Sequence, residues 1–174
     1  MIYIATPIRD EEGIRLAAGD EVRISGKIYT ARDAAHKRMI EIVEAGGKLP
    51  FAFDGQVVFY AGPSPAKPGR PIGSIGPTTS GRMDSYSPLL ISRGLKYMIG
   101  KGNRSEEVVD AIVNFRGVYF AATGGIAALM AKCVRSAKVI AFDDLGPESV
   151  MELEVKDFPA FVAIDSMGRN LYKR

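Results

Sequence analysis

Between residues 62 and 81 the chain carries five prolines (Pro63, Pro65, Pro68, Pro71, Pro77) and five glycines (Gly62, Gly69, Gly73, Gly76, Gly81). Proline fixes φ and removes an N–H donor, and glycine weakens any regular element it sits in. Neither a helix nor a central strand can run through such a stretch. A linker between two domains is one reading. The better one is a long functional loop, because each flank of this 174-residue chain is too small for a core of its own. We therefore expect a single domain over residues 1–174. The loop offers little core, which predicts that it is mobile unless a partner covers it.

The loop ends in Gly76-Pro77-Thr78-Thr79-Ser80-Gly81-Arg82-Met83-Asp84. Gly76 and Pro77 force a turn, and Gly81 frees the backbone just before Arg82. The small residues leave backbone N–H groups uncovered, so an anion could meet amides, hydroxyls and a guanidinium together. Arg82 is suited to grip a carboxylate with two parallel hydrogen bonds. Taken alone, the segment is equally a surface turn with an ordinary arginine.

Around this loop the periodicity predicts alternating elements. A short strand is expected near Tyr3, then a strand over 21–30 with Gly26 as a turn or bulge. Residues 33–45 read as a helix with Ala35, Met39, Ile42 and Val43 on one face, stopped by Gly46-Gly47. Strands follow at 56–61 and 97–99, with a helix at 86–93 between them. Ser105 can cap a helix to about residue 114, with Glu106 and Glu107 at its positive end. A strand at 118–122, a helix at 125–134, a strand at 137–142 and closing strands at 150–155 and 160–165 complete the order. The alternation in the C-terminal half implies an α/β fold with a mainly parallel sheet there.

Composition excludes several classes. The net charge of +3 comes from scattered Lys and Arg, without a run that would indicate nucleic acid; a positive cleft for an anionic metabolite explains the same bias. No apolar run approaches the roughly 20 residues needed to span a bilayer. The N-terminus does not read as a signal peptide. The single Cys133 forms no internal disulfide and fits a reducing cytosol.

Other residues could carry chemistry. Arg32 lies at a strand-to-helix junction, where free amides gather anions, or it simply pairs with Asp33 or another acid on the surface. Lys101, between Gly100 and Gly102, ends a predicted strand, where α/β sheets bind ligands. Arg104 in the same segment is suited to brace the loop. A free threonine hydroxyl has negligible basicity near neutrality. Thr78 could act as a base only with cations such as Arg82 and Lys101 beside it; otherwise it positions a ligand. His36, the only histidine, reads as a packed or capping residue. Asp143 and Asp144 read as loop-ordering residues, and Cys133 falls on a predicted helix. The role of Thr123-Gly124-Gly125 stays open.

The succession Ala31-Arg32-Asp33-Ala34-Ala35-His36-Lys37-Arg38, Gly-Pro-Thr-Thr-Ser-Gly-Arg, Gly100-Lys101-Gly102-Asn103-Arg104, Thr123-Gly124-Gly125 and Phe142-Asp143-Asp144-Leu145-Gly146 resembles the beta subunit, or C-terminal domain, of class I iron–sulfur fumarate hydratases and the related tartrate dehydratases. The resemblance runs from about Glu21 to Tyr172. It implies a layered swivelling β/β/α architecture. It makes Arg32 a substrate carboxylate ligand and Lys101 a substrate contact, with Arg82 as a further cation. It makes Thr78 the base that exchanges the C3 proton of malate. It implies a four-iron–four-sulfur cluster held by a cluster-bearing alpha subunit, in an alpha2-beta2 heterotetramer, since one cysteine cannot hold a cluster. The segment Gly146-Pro147-Glu148-Ser149, where the family more often has Gly-Met-Glu-Ala, is a departure expected to affect packing.

The expected function is therefore the beta half of a cytoplasmic two-chain hydro-lyase interconverting fumarate and L-malate, inactive alone. The alternatives are an L-tartrate dehydratase beta subunit and, in another class, a stand-alone dicarboxylate-binding module. This chain is expected to hold no metal and to meet neither nucleic acid nor membrane.

Overall fold

The structure is a computed structural model that describes residues 1–122 and 127–173. In chain order its elements are β1 (Ile2–Ala5), α1 (Asp10–Gly13), β2 (Glu21–Thr30), α2 (Asp33–Glu44), β3 (Val57–Phe59), α3 (Ser87–Ser92), β4 (Tyr97–Gly100), α4 (Glu106–Phe115), β5 (Val118–Ala121), α5 (Ala127–Lys132), β6 (Val134–Ala141) and β7 (Val150–Ile164). Short 3₁₀ turns occupy Ser80–Met83 and Asp143–Glu148.

Seven strands form one mixed sheet in the order β1-β2-β3-β4-β5-β7-β6. Strands β1 to β5 pair parallel. The long β7 runs antiparallel to β5, to β6 and to β2. Its pairing with β2 closes β2, β3, β4, β5 and β7 into a ring. Two irregularities let these strands bend: a bulge beside Gly26, which sits at φ 113°, and Asp157 at φ 52°.

The ring has two apolar faces because side chains alternate along each strand. Val57, Phe59, Tyr97, Ile99, Val118 and Phe120 point inward, against Ile24, Ile28, Leu153 and Phe158. Val58, Met98, Tyr119 and Ala121 point outward, where Met39 of α2, Leu90 and Ile91 of α3, and Val108 and Ile112 of α4 cover them. Strands β4 and β5, buried on both faces, accordingly read as continuous apolar runs. Ser105 caps α4 as expected, its Oγ accepting from the Val108 N–H at 3.3 Å.

The structure corrects four expectations. The parallel ladder lies in β1 to β5, whereas the C-terminal strands β6 and β7 are antiparallel. A strand after a helix need not return beside its predecessor, and β6 pairs with β7, not with β5. The two closing strands are one 15-residue strand, because Asp157 adopts positive φ without breaking the ladder. The Ser25 Oγ accepts from the Asp157 N–H there, at 2.9 Å. Cys133 lies in the turn between α5 and β6, not on the helix, and Val134 already belongs to the strand. The loop over residues 62–81 contributes to the core after all. Ile72 and Ile75 are buried on the inner face, and Ser64 is tied to Ser74 by backbone and hydroxyl hydrogen bonds. The strands on either side of the loop, β3 and β4, hydrogen-bond to each other.

Candidate active site

Because β2, β3, β4 and β5 are parallel, their carboxyl ends share one edge of the sheet. That is where open α/β sheets present ligand-binding loops. The segments leaving these ends carry Arg32, Thr78, Arg82 and Lys101.

Beyond β2 the chain turns through Ala31 into α2, with Arg32 as the extended N-cap residue. The Arg32 side chain passes over Gly62, just beyond β3. A Cβ on Gly62 would lie 3.1 Å from Arg32 Cδ and 2.8 Å from the Pro147 carbonyl oxygen, so only glycine leaves this passage open. The Arg32 Nε–H is buried and has no hydrogen-bond partner among the described residues. A buried donor of this kind is costly to leave unpaired, and a bound anion is the natural acceptor. Arg32 does not pair with Asp33. Asp33 Oδ2 instead accepts from Arg82 Nε at 2.9 Å, with Arg82 Nη2 in ion-pair contact at 2.8 Å.

The Gly-Pro-Thr-Thr turn is stitched to two strand ends. The Thr78 N–H donates to the Tyr60 carbonyl at 2.6 Å, and the Ser80 N–H to the Lys101 carbonyl at 2.9 Å. Thr79 and Lys101 form a parallel bridge. Thr78 and Lys101 therefore sit on adjacent, mutually bonded segments, with the Lys101 side chain exposed. Among the described residues no hydrogen bond joins the Thr78 hydroxyl to Lys101 or Arg82.

Beneath this surface lies a buried polar network. Arg104, 4 % exposed, donates from Nε to Asp84 Oδ1 at 2.7 Å and from Nη2 to Ser87 Oγ at 2.9 Å and the Tyr60 hydroxyl at 3.2 Å. Its guanidinium also stacks over the Tyr60 and Tyr119 rings. Arg104 thus braces the loop, as expected from its place beside Lys101. The Tyr119 hydroxyl lies 2.8 Å from both Ser80 Oγ and the Gly102 carbonyl oxygen. A carbonyl only accepts, so the phenol proton goes to Gly102 and the Ser80 hydroxyl donates to Tyr119. Sequence reasoning missed Tyr60, Asp84, Ser87 and Tyr119. The one available signal was two tyrosines in otherwise apolar strands, whose hydroxyls need buried partners.

The remaining candidates are structural. His36 is buried, and its Nδ1–H donates to the Arg32 carbonyl at 2.8 Å. Burial pushes its pKa down to about 4, against the partly opposing hydrogen bond to that carbonyl, so the ring is neutral. It is the packed histidine that its position suggested. Asp144 takes both Nη atoms of Arg38, at 2.7 and 2.8 Å, and ties the Asp143–Glu148 turn to α2. In the departing segment, Pro147 packs at Gly62, and Glu148 accepts from the Ala34 N–H at 3.5 Å. Thr123-Gly124-Gly125 lies outside the described residues. Burial raises the pKa of the Cys133 thiol, and among the described residues no group of three or more His, Cys, Asp or Glu side chains could hold a metal ion. These residues do not fit an iron–sulfur cluster. No helix among the described residues is long and apolar enough to cross a membrane.

The sequence profile of the family described as Fumarase C-terminus matches residues 1–174. The chain is 40 % identical over 153 residues to "Fumarate hydratase class I, anaerobic" of Escherichia coli (strain K12), a match covering 87 % of this chain and 28 % of that protein. It is 41 % identical over 158 residues to "Fumarate hydratase 2" of Leishmania major, covering 90 % of this chain and 28 % of that one. It is 39 % identical over 179 residues to "Putative L(+)-tartrate dehydratase subunit beta" of Methanocaldococcus jannaschii, covering 99 % of this chain and 92 % of that one. The chain thus spans little more than a quarter of the fumarate hydratases it matches, and nearly all of the beta subunit. It belongs to the Fumarase C-terminus family, whose members here are fumarate hydratases and a tartrate dehydratase beta subunit.

Proposed function

We propose that this chain is the beta subunit of a two-chain iron–sulfur hydro-lyase that reversibly adds water to fumarate to give L-malate. The observation that carries the reading is the gathering of Arg32, Arg82 and Lys101 with the Thr78 turn at one sheet edge. A dicarboxylate brings two negative charges, and removal of a proton beside a carboxylate develops more, which explains the need for several cations. Arg32, Arg82 and Lys101 bind and neutralise the carboxylates, with the unpaired Arg32 Nε–H as one donor. Thr78 moves the proton at C3.

The cluster belongs to an alpha subunit, and the alpha2-beta2 assembly forms in a reducing cytosol. The chain acts as one domain of the swivelling β/β/α type, closing its cationic edge over the alpha subunit's site. The near full-length match to a tartrate dehydratase beta subunit favours the two-chain organisation. It also makes L-tartrate the second candidate substrate. A site that hydrogen-bonds the additional hydroxyl could discriminate strongly between the two.

The test is anaerobic co-expression with a cluster-bearing alpha subunit, assayed on fumarate, L-malate and L-tartrate against this chain alone. Turnover only in the complex is expected, and the preferred substrate decides between the readings. A complex without turnover, together with tight dicarboxylate binding by the lone chain, would replace the hydro-lyase by a dicarboxylate-binding module.

A further inference from the structure

We infer that Asp33 is a positioning residue for substrate binding: it grips one edge of the Arg82 guanidinium so that the adjacent edge faces the dicarboxylate. The inference rests on the hydro-lyase reading of this site.

The geometry separates the two edges of the fork. Arg82 donates from Nε to Asp33 Oδ2 at 2.9 Å, and its Nη2 lies 2.8 Å from the same oxygen as an ion-pair contact. A guanidinium has five N–H groups, and the hydrogen bond to Asp33 uses the Nε–H. The edge formed by Nη1 and Nη2 keeps its outward N–H groups, which match a second carboxylate in the same plane. One arginine can therefore hold an internal and an external carboxylate side by side. Arg82 needs such a hold, because it stands on a single 3₁₀ turn with its side chain half exposed, where a long stem samples many rotamers.

Asp33 is suited to provide it. It opens α2, the longest helix, where free amides favour a negative charge. It follows Arg32 directly in the chain, so one backbone step sets the spacing between one arginine and the anchor of the other. Its carboxylate has no other assigned task. The Ala34 N–H goes to Glu148 and not to Asp33, and Asp33 Oδ1 is buried with no partner among the described residues. The remaining structural role for Asp33 is a favourable charge at a helix start. That role does not depend on which residue occupies position 82, whereas positioning does.

This difference sets the experiment. Steady-state kinetics on fumarate and L-malate are measured for the complex with the alpha subunit, in wild type, Asp33→Asn, Arg82→Lys and the double variant. Asp33→Asn is nearly isosteric but loses the charge. It is expected to raise KM for both substrates about tenfold while kcat changes less than about threefold, with an unchanged circular dichroism spectrum. In the Arg82→Lys background the same substitution should have almost no further effect, because an ammonium has no fork to orient. Asp33→Glu, which keeps the charge, should recover part of the lost affinity and serves if the Asn variant does not fold. An unchanged KM in folded Asp33→Asn, or an equal effect in both backgrounds, overturns the inference. A lowered KM also overturns it, since Asp33 would then compete with the substrate. A wild-type complex that turns over none of fumarate, L-malate and L-tartrate overturns the hydro-lyase reading itself.

Discussion

Arg82 and His36 make opposite predictions although they stand at the same edge. Arg82 is half exposed, and among the described residues it forms an ion pair with Asp33 alone. Arg82→Ala should leave the fold intact and lower kcat/KM of the complex by roughly a hundredfold, since one charge-assisted fork is lost. Equal activity in the reconstituted variant would remove Arg82 from the site. His36 is buried and neutral, with its pKa depressed to about 4 from an ordinary 6.5. The unfolded chain therefore binds the extra proton, and stability rises with pH between about 4 and 6.5. The contribution is complete above about 6.5 and is lost as pH falls through that window. Its size is on the order of 3 kcal/mol at 1.36 kcal/mol per unit. Urea denaturation at pH 7, 5.5 and 4.5 should show this slope in wild type and a shallower one in His36→Gln. Single-residue placement was legible where it depended on local chemistry: a lone histidine on the apolar face of a helix is buried and packed. Partners were not. Asp33 was visible as a neighbour of Arg32, yet it pairs with Arg82, 49 residues away, and nothing local encodes that choice.

At the scale of elements, the site depends on how closely the turn over residues 76–84 lies against the end of β4. Gly100 makes this possible. A Cβ there would collide with Ser80 Oγ and come within 2.9 Å of the Tyr60 ring. Gly100→Ala should cost about 1–3 kcal/mol by overpacking and lift the turn from Lys101, so kcat should fall with it. Urea denaturation and activity of the complex check both effects. Tyr119→Phe probes the same contact from below. It leaves the Gly102 carbonyl and the Ser80 hydroxyl without their shared partner, at a cost of about 1–3 kcal/mol. A loss of activity without a loss of stability would place Tyr119 outside this bracing role. Most elements were legible because apolar periodicity and the Gly, Pro and Ser signals at their ends are local. The 125–142 region was misread, because a short helix followed by a strand looks alike whether the strand joins β5 or β7. The reach of β7 was misread because Asp157 looks like a break and behaves as a bend.

β7 pairs with β2 at Phe161–Glu21 and Met151–Thr30, contacts between positions more than a hundred residues apart. The same strand pairs with β5 and shelters Leu153, Val155, Phe158 and Val162 within the inner core. During synthesis at about 5–20 residues per second, the earlier strands emerge with an apolar face that has nothing to cover it. Long-range closure is also slow, since the loop must be ordered before the contacts reward it. Ribosome-stalled chains ending before residue 150 should therefore stay protease-sensitive and bound by holdase chaperones. Protection should appear only when residues through Ile164 have left the tunnel, which makes the last strand a checkpoint on the nascent chain.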